Sequence, residues 1–296
     1  MIGRRLTHSL LGDGHEVVVL TRGAAGAPKA GLRLVTWDGR TVSGGWVSEL
    51  SNTAAVVNLA GASIGGGRWT RRRMQEILAT RLAATGAIVE AIKRLPDGQR
   101  PAVLVSASGI DYYGNRGDEE INEASSPGTS FLASVCRQWE AAADMAAPLG
   151  VRVVRVRTSL VIAPEALAFR LLTLPFRLFA GGPLGNGRQW FTWIHVDDIV
   201  GLYRLAVERQ ALSGPINAVA PDVRRQREVA TEIGRVMHRP SWLPVPAAAL
   251  RLVLGRQSEL LLDGRHAHPV RAEQEGYRFK YGDLREALVA ALHRSR

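Results

Sequence analysis

The chain has 296 residues, 46% of them hydrophobic, enough to bury the core of one elaborated α/β domain, with or without a smaller lobe. Its formal charge of +11 invites a polynucleotide reading, but only Lys29, Lys93 and Lys280 are lysines; the other basic residues are scattered arginines. Arg71-Arg72-Arg73 is the one tight cluster and no nucleic-acid module accompanies it, so no nucleic-acid partner is expected.

The spacing of Ile2, Leu6, Ser9, Leu10 and Leu11 predicts a helix that Gly12 and Gly14 stop. Glu16 to Leu20 follows as a short apolar run, expected to be a strand buried on both faces, and it ends at Thr21-Arg22. This order reads as the second half of a βαβ nucleotide-binding unit, in which a strand and a Gly-rich turn precede the helix and the helix N-terminus holds a pyrophosphate. Only Gly3 remains of such a turn, and Thr21-Arg22 stands where a cofactor's adenosine ribose would sit. The expectation is a truncated start, with the first strand missing.

Strands are then expected at Leu32 to Trp37, Ala54 to Leu59, Ala102 to Ser106 and Val151 to Val156, with helices at Trp69 to Arg94 and Phe131 to Ala147. That alternation predicts an α/β fold, a doubly wound parallel sheet. Residues 1–160 form the nucleotide-binding part. The prolines at 164, 175, 183, 240, 244 and 246 mark a smaller C-terminal substrate lobe over 161–296, with 190–220 returning to the first part. Glu165, Arg170 and Arg177 interrupt the most apolar region and no apolar leader is visible, so a membrane span is not expected and a cytoplasmic site follows by default. Cys136 is the single cysteine, and His266 and His268 show no companion ligands in sequence, so no metal site is expected.

Three strand ends fall in a meaningful order: Val57-Asn58-Leu59-Ala60-Gly61; Ser106-Ala107-Ser108-Gly109 leading to Tyr112-Tyr113-Gly114; and Trp193-Ile194-His195-Val196-Asp197-Asp198. With Gly181-Gly182-Pro183-Leu184-Gly185, Asn217 to Pro221, Pro269 and Gly276-Tyr277-Arg278-Phe279, the set resembles the epimerase branch of the extended short-chain dehydrogenase/reductases over essentially the whole chain. The resemblance implies a Rossmann-like fold, a nicotinamide cofactor and a small-molecule substrate.

For the cofactor, Arg22 stands where an acidic residue would bind the ribose of NAD, and a guanidinium there suits the 2′-phosphate of NADP, so NADP is expected ahead of NAD. With it go Gly3 and Thr21, the backbone of Leu59, Ala60 and Gly61, and, from the resemblance, Glu76 and Arg81 on the following helix. The wider superfamily's Tyr-x-x-x-Lys pair maps onto Leu132 and Cys136, neither of which does that acid–base work as the pair does. Ser108 is then the candidate substrate-orienting hydroxyl and Tyr113 the candidate proton donor, while Asp111 departs from the small residue relatives carry. His195, Asp197 and Asp198 are expected to fix a loop and a helix start. Two function classes follow: an NADP-dependent epimerase or oxidoreductase acting on a carbonyl or sugar-like molecule, and a catalytically poor nucleotide-binding regulator, since some relatives are labelled cell-division inhibitors.

Overall fold

A computed structural model describes residues 1–23, 26 and 29–293. The chain runs through α1 (Ile2–Gly12), β1 (Val17–Thr21), β2 (Leu32–Thr36), β3 (Ala55–Asn58), α2 (Arg71–Arg94), β4 (Val103–Gly109), β5 (Glu120–Ile121), α3 (Phe131–Asp144), β6 (Arg152–Thr158), β7 (Leu160–Ile162) and α4 (Leu167–Arg177). It continues with β8 (Trp190–Phe191), β9 (Trp193–His195), α5 (Val196–Glu208), β10 (Gly214–Ala218), β11 (Arg224–Arg225), α6 (Gln226–Met237), α7 (Ala247–Leu254), α8 (Glu259–Leu262), β12 (His266–Ala267), α9 (Val270–Gln274) and α10 (Leu284–His293). Among the described residues no helix is long and apolar enough to cross a membrane.

The main sheet is parallel, in the order β10-β6-β4-β3. Alternation along its strands divides the core between two faces. Val103, Val105, Val154 and Val156 point to one face, where they meet Leu6 of α1 and Ile199, Leu202 and Tyr203 of α5. Leu104 and Val153 point to the other, against Ala84, Ile88, Ala91 and Ile92 of α2 and Ala143 of α3. Helices on both faces of a parallel sheet make the doubly wound architecture that the strand–helix alternation predicts.

β1 and β2 form a separate parallel pair, not joined by a ladder to the main sheet among the described residues. Leu20 and Val35 pack on the Trp37 and Trp46 cluster of the α2 face. Every residue of β1 is half-buried, where the sequence predicts burial on both faces. The physical reason is that β1 has one ladder neighbour, β2, and its other edge has none among the described residues.

The remaining elements pack around a further core cluster and are tied to the rest by hydrogen bonds. Leu284 and Leu288 of α10 pack with Val229 and Ile233 of α6 and with Phe169 and Phe176 of α4. Asp198, buried in the first turn of α5, accepts from the backbone N–H groups of Lys280 (2.7 Å) and Tyr281 (2.9 Å) and from the Tyr277 hydroxyl (3.2 Å). The helix cap itself is His195, whose Nδ1 accepts from the Asp197 N–H, rather than either aspartate. The expected stabilising role of this segment is therefore present, with the residues' parts exchanged.

Candidate active site

The C-terminal ends of parallel strands are where a doubly wound sheet opens a crevice, because the following loops diverge to opposite faces. At the end of β3, Asn58 is buried between helix and loop. Its side-chain amide donates to Thr85 Oγ1 (2.9 Å) and its Oδ1 accepts from the Ala60 N–H (3.1 Å). Gly3, in the first turn of α1, lies against this strand end: a Cβ placed on it would stand 3.4 Å from Leu59 Cδ1. The structure thus brings Gly3 and Leu59 together. Among the described residues no side chain caps the N-terminus of α1, which leaves its first N–H groups facing outward.

Ala60 and Gly61 continue into a loop that α2 holds from below. Thr80 Oγ1 accepts from the Ala62 N–H (3.0 Å), and Arg81 donates to the Ala62 carbonyl (3.0 Å) while stacking on Trp139. Burial pushes the Arg81 guanidinium below the usual arginine range. A Cβ on Gly61 would come within 3.1 Å of Arg81, so this glycine lets the two approach closely. Glu76 is exposed and pairs with Arg73 (2.8 Å). Thr21 closes β1 by accepting from the Gly23 N–H (3.2 Å), and Arg22 beside it is exposed with no ion pair among the described residues.

A buried charge network lies under the end of β4. Arg157 of β6 grips Glu140 of α3 through two parallel bonds of 2.9 and 2.8 Å, both residues being at most 3% exposed. Burial alone would lower the Arg157 pKa, but the Glu140 carboxylate outweighs it and holds the guanidinium charged. Ser108 donates its hydroxyl to Glu140 Oε1 (2.7 Å). Tyr113 accepts from Arg157 (2.7 Å) and donates to Asn217 Oδ1 (2.8 Å), while its neighbour Tyr112 presents its ring face to the guanidinium at 3.5 Å. Burial pushes the Tyr113 phenol up to about 12.

Ser108 and Tyr113 therefore belong to one network, with Tyr113 fully buried and engaged as both donor and acceptor. Leu132 and Cys136 are buried on α3. Cys136 Sγ sits 3.4 Å from where a Cβ on Gly109 would be, and burial pushes its thiol up to about 12. Asp111 pairs with Arg265 of the C-terminal lobe at 2.8 Å, which explains how an acid is tolerated there. Beyond them opens a cleft of about 610 Å³, lined among others by Asn115, Asp118, Arg188, Arg225 and Arg227.

Sequence reasoning missed Arg157 and Arg265. Arg152, Arg155 and Arg157 punctuate an otherwise apolar strand, which is the one local signal that a charge there needs a buried partner.

Residues 1–218 match the model of the NAD dependent epimerase/dehydratase family, and residues 245–291 match a domain of unknown function, DUF1731. The chain is 39% identical over 293 residues to the epimerase family protein SDR39U1 homolog, chloroplastic, of Arabidopsis thaliana, covering 98% of the chain and 84% of that protein. It is 36% identical over 290 residues to the epimerase family protein YfhF of Bacillus subtilis, covering 97% and 93%. Among solved structures, the human epimerase family protein SDR39U1 with NADPH gives a TM-score of 0.86 at 32% identity, covering 99% of this chain and 96% of that one.

Proposed function

The chain belongs to the NAD dependent epimerase/dehydratase family, with a Rossmann-like nicotinamide-binding fold, and from that premise we propose an NADP-dependent epimerase or oxidoreductase acting on a carbonyl or sugar-like small molecule. The observation that carries the choice of cofactor is Arg22: an exposed guanidinium, with no ion pair among the described residues, at the end of the strand whose tip meets the adenosine ribose in such folds. The human relative with NADPH supports the same choice.

The donors present suit such a group. The uncapped first turn of α1 at Gly3 and the backbone of Leu59, Ala60 and Gly61 would take the pyrophosphate side, Thr21 and Arg22 the ribose and its 2′-phosphate. Arg81 acts from behind, fixing the loop carbonyls, and Glu76 holds Arg73 at the same helix start. When bound, the nicotinamide supplies or accepts a hydride.

The residues of the chain would do the rest. Ser108, its proton committed to Glu140, offers lone pairs to a substrate hydroxyl and orients it. Arg157 holds the Glu140 carboxylate in place through two hydrogen bonds and so keeps Ser108 turned. Tyr113, the expected proton donor, serves in this reading to hold Arg157 and Asn217 in register. Residues 1–160 with 190–220 would hold the cofactor, and the rest of 161–296 would present the substrate from the arginine-lined cleft.

The internal engagement of Tyr113 favours a second reading, a nucleotide-binding regulator with little or no turnover. The two separate in an assay with NADPH deuterated at the transferable position and a panel of aldehydes, ketones and nucleotide sugars. Label transfer or sugar inversion that Ser108→Ala lowers, at unchanged NADPH affinity, supports the enzyme. Tight NADPH binding with no transfer to any member supports the regulator.

A further inference from the structure

Past Tyr113 the chain reaches β5, which pairs in parallel with β12 of the C-terminal lobe so that Glu120 stands opposite His266. His268, two residues on, shares the face of His266, and the two imidazole rings lie 4.6 Å apart. One nitrogen of each ring and one carboxylate oxygen of Glu120 all fall within 4.8 Å of one another. The surroundings hold two of the three in place. The His266 ring stacks flat on Trp190 at 3.7 Å, and the Trp190 indole N–H is anchored on Asp118 (3.0 Å). The His268 main chain donates to Ile121 (2.9 Å) and accepts from Asn217 (3.0 Å). Yet His268 Nε2 is buried with no hydrogen-bond partner among the described residues. Buried polar atoms are almost always satisfied, so an unpartnered imidazole nitrogen beside a second imidazole and a carboxylate points to a ligand.

We propose that Glu120, His266 and His268 form a binding site for a divalent transition-metal cation of the zinc class, clamping the C-terminal lobe to the segment that follows Tyr113. Imidazole nitrogen with one carboxylate is a donor set that suits zinc or cobalt, whereas magnesium and calcium demand oxygen throughout. Ligand atoms around tetrahedral zinc stand roughly 3.4 Å apart, so a small inward movement of the three side chains would complete the set and leave a position for water. Arg225, the nearby cation, is already paired with Asp118 at 2.6 Å. Its three residues are distinct from those assigned to the crevice at the end of β3.

Tag-free full-length protein tests this by calorimetry with zinc sulfate and by the visible absorption of added cobalt chloride. The proposal expects about one equivalent of Zn²⁺ bound, a melting temperature raised by zinc, lowered again by EDTA and unmoved by magnesium, and a cobalt spectrum of nitrogen–oxygen ligation. Glu120→Gln, at an exposed position, should fold normally and lose roughly 10-fold or more in zinc affinity, as should His266→Gln. Native protein that binds no zinc, or zinc affinity and a cobalt spectrum unchanged in both variants, overturns the site.

Discussion

Arg157 and Glu140 form a pair that only works whole. Removing one partner strands the other charge in the interior, at a cost of about 3–5 kcal/mol, whereas replacing both with apolar residues of similar volume costs far less. Glu140→Gln should therefore lower the free energy of urea unfolding by about that amount, and Glu140→Leu with Arg157→Met should recover much of it. Equal losses for single and double variants would show that the pair does not interact as drawn. Titration gives a second reading of the same region. The Cys136 thiol and the Tyr113 phenol are both raised to about 12 in the folded chain, above their usual values of 9.0 and 10.0. An acid whose folded pKa is raised keeps its stabilising effect below the unfolded value and loses it as pH rises toward the folded one. Stability should thus fall between pH 9 and about 12, and Cys136 should resist iodoacetamide at pH 8.5 until urea unfolds the protein. Rapid alkylation of native protein would place Cys136 outside the core. Ser108 and Tyr113 could be picked from the sequence on the family resemblance of their loop; Arg157 could not, since its partner Glu140 lies 17 residues away on a helix.

At the scale of elements, the strands and helices of residues 1–160 follow from hydrophobic period and glycine stop signals, within a few residues at their ends, with the two-residue β5 the exception. Thr70, accepting from the Arg73 N–H, starts α2 two residues later than the apolar pattern suggests. The lobe that follows is harder to read, because its short elements are positioned by distant contacts rather than by periodicity. Asp198 is the main one. In sequence it is an acid near a helix start; in the fold it satisfies two backbone N–H groups and a tyrosine more than 75 residues away. Asp198→Ala should destabilise the protein by about 3 kcal/mol, since it leaves buried donors without acceptors. Hydrogen exchange should show the amides of Lys280 and Tyr281 losing protection first. Unchanged protection there would mean that the C-terminal lobe is held by the Leu284 and Leu288 packing alone. The same distance effect hid Glu120 from His266 and His268, which share a face only after β5 and β12 pair.

For the molecule as a whole, the strand ends of one doubly wound sheet gather the α1 N-terminus, the Leu59 loop and the Ser108 network, and the C-terminal residues are tied to the rest through Arg265 with Asp111 and Lys280 with Asp198. The arginines fall into place on this scale: some are held in ion pairs such as Arg157 with Glu140 and Arg155 with Asp144, which leave the net charge of +11 untouched, and others line the cleft at Arg188, Arg225 and Arg227. The central claim is that Arg22 reads the 2′-phosphate of the cofactor. Calorimetric titration of the protein and of Arg22→Ala with NADPH and with NADH tests it most directly. A charge-assisted guanidinium–phosphate bond worth roughly 1.5–3 kcal/mol should make NADPH bind about 10- to 150-fold more tightly than NADH, with the difference abolished in Arg22→Ala. Equal affinities for the two cofactors, or a ratio that Arg22→Ala leaves unchanged, would contradict the account.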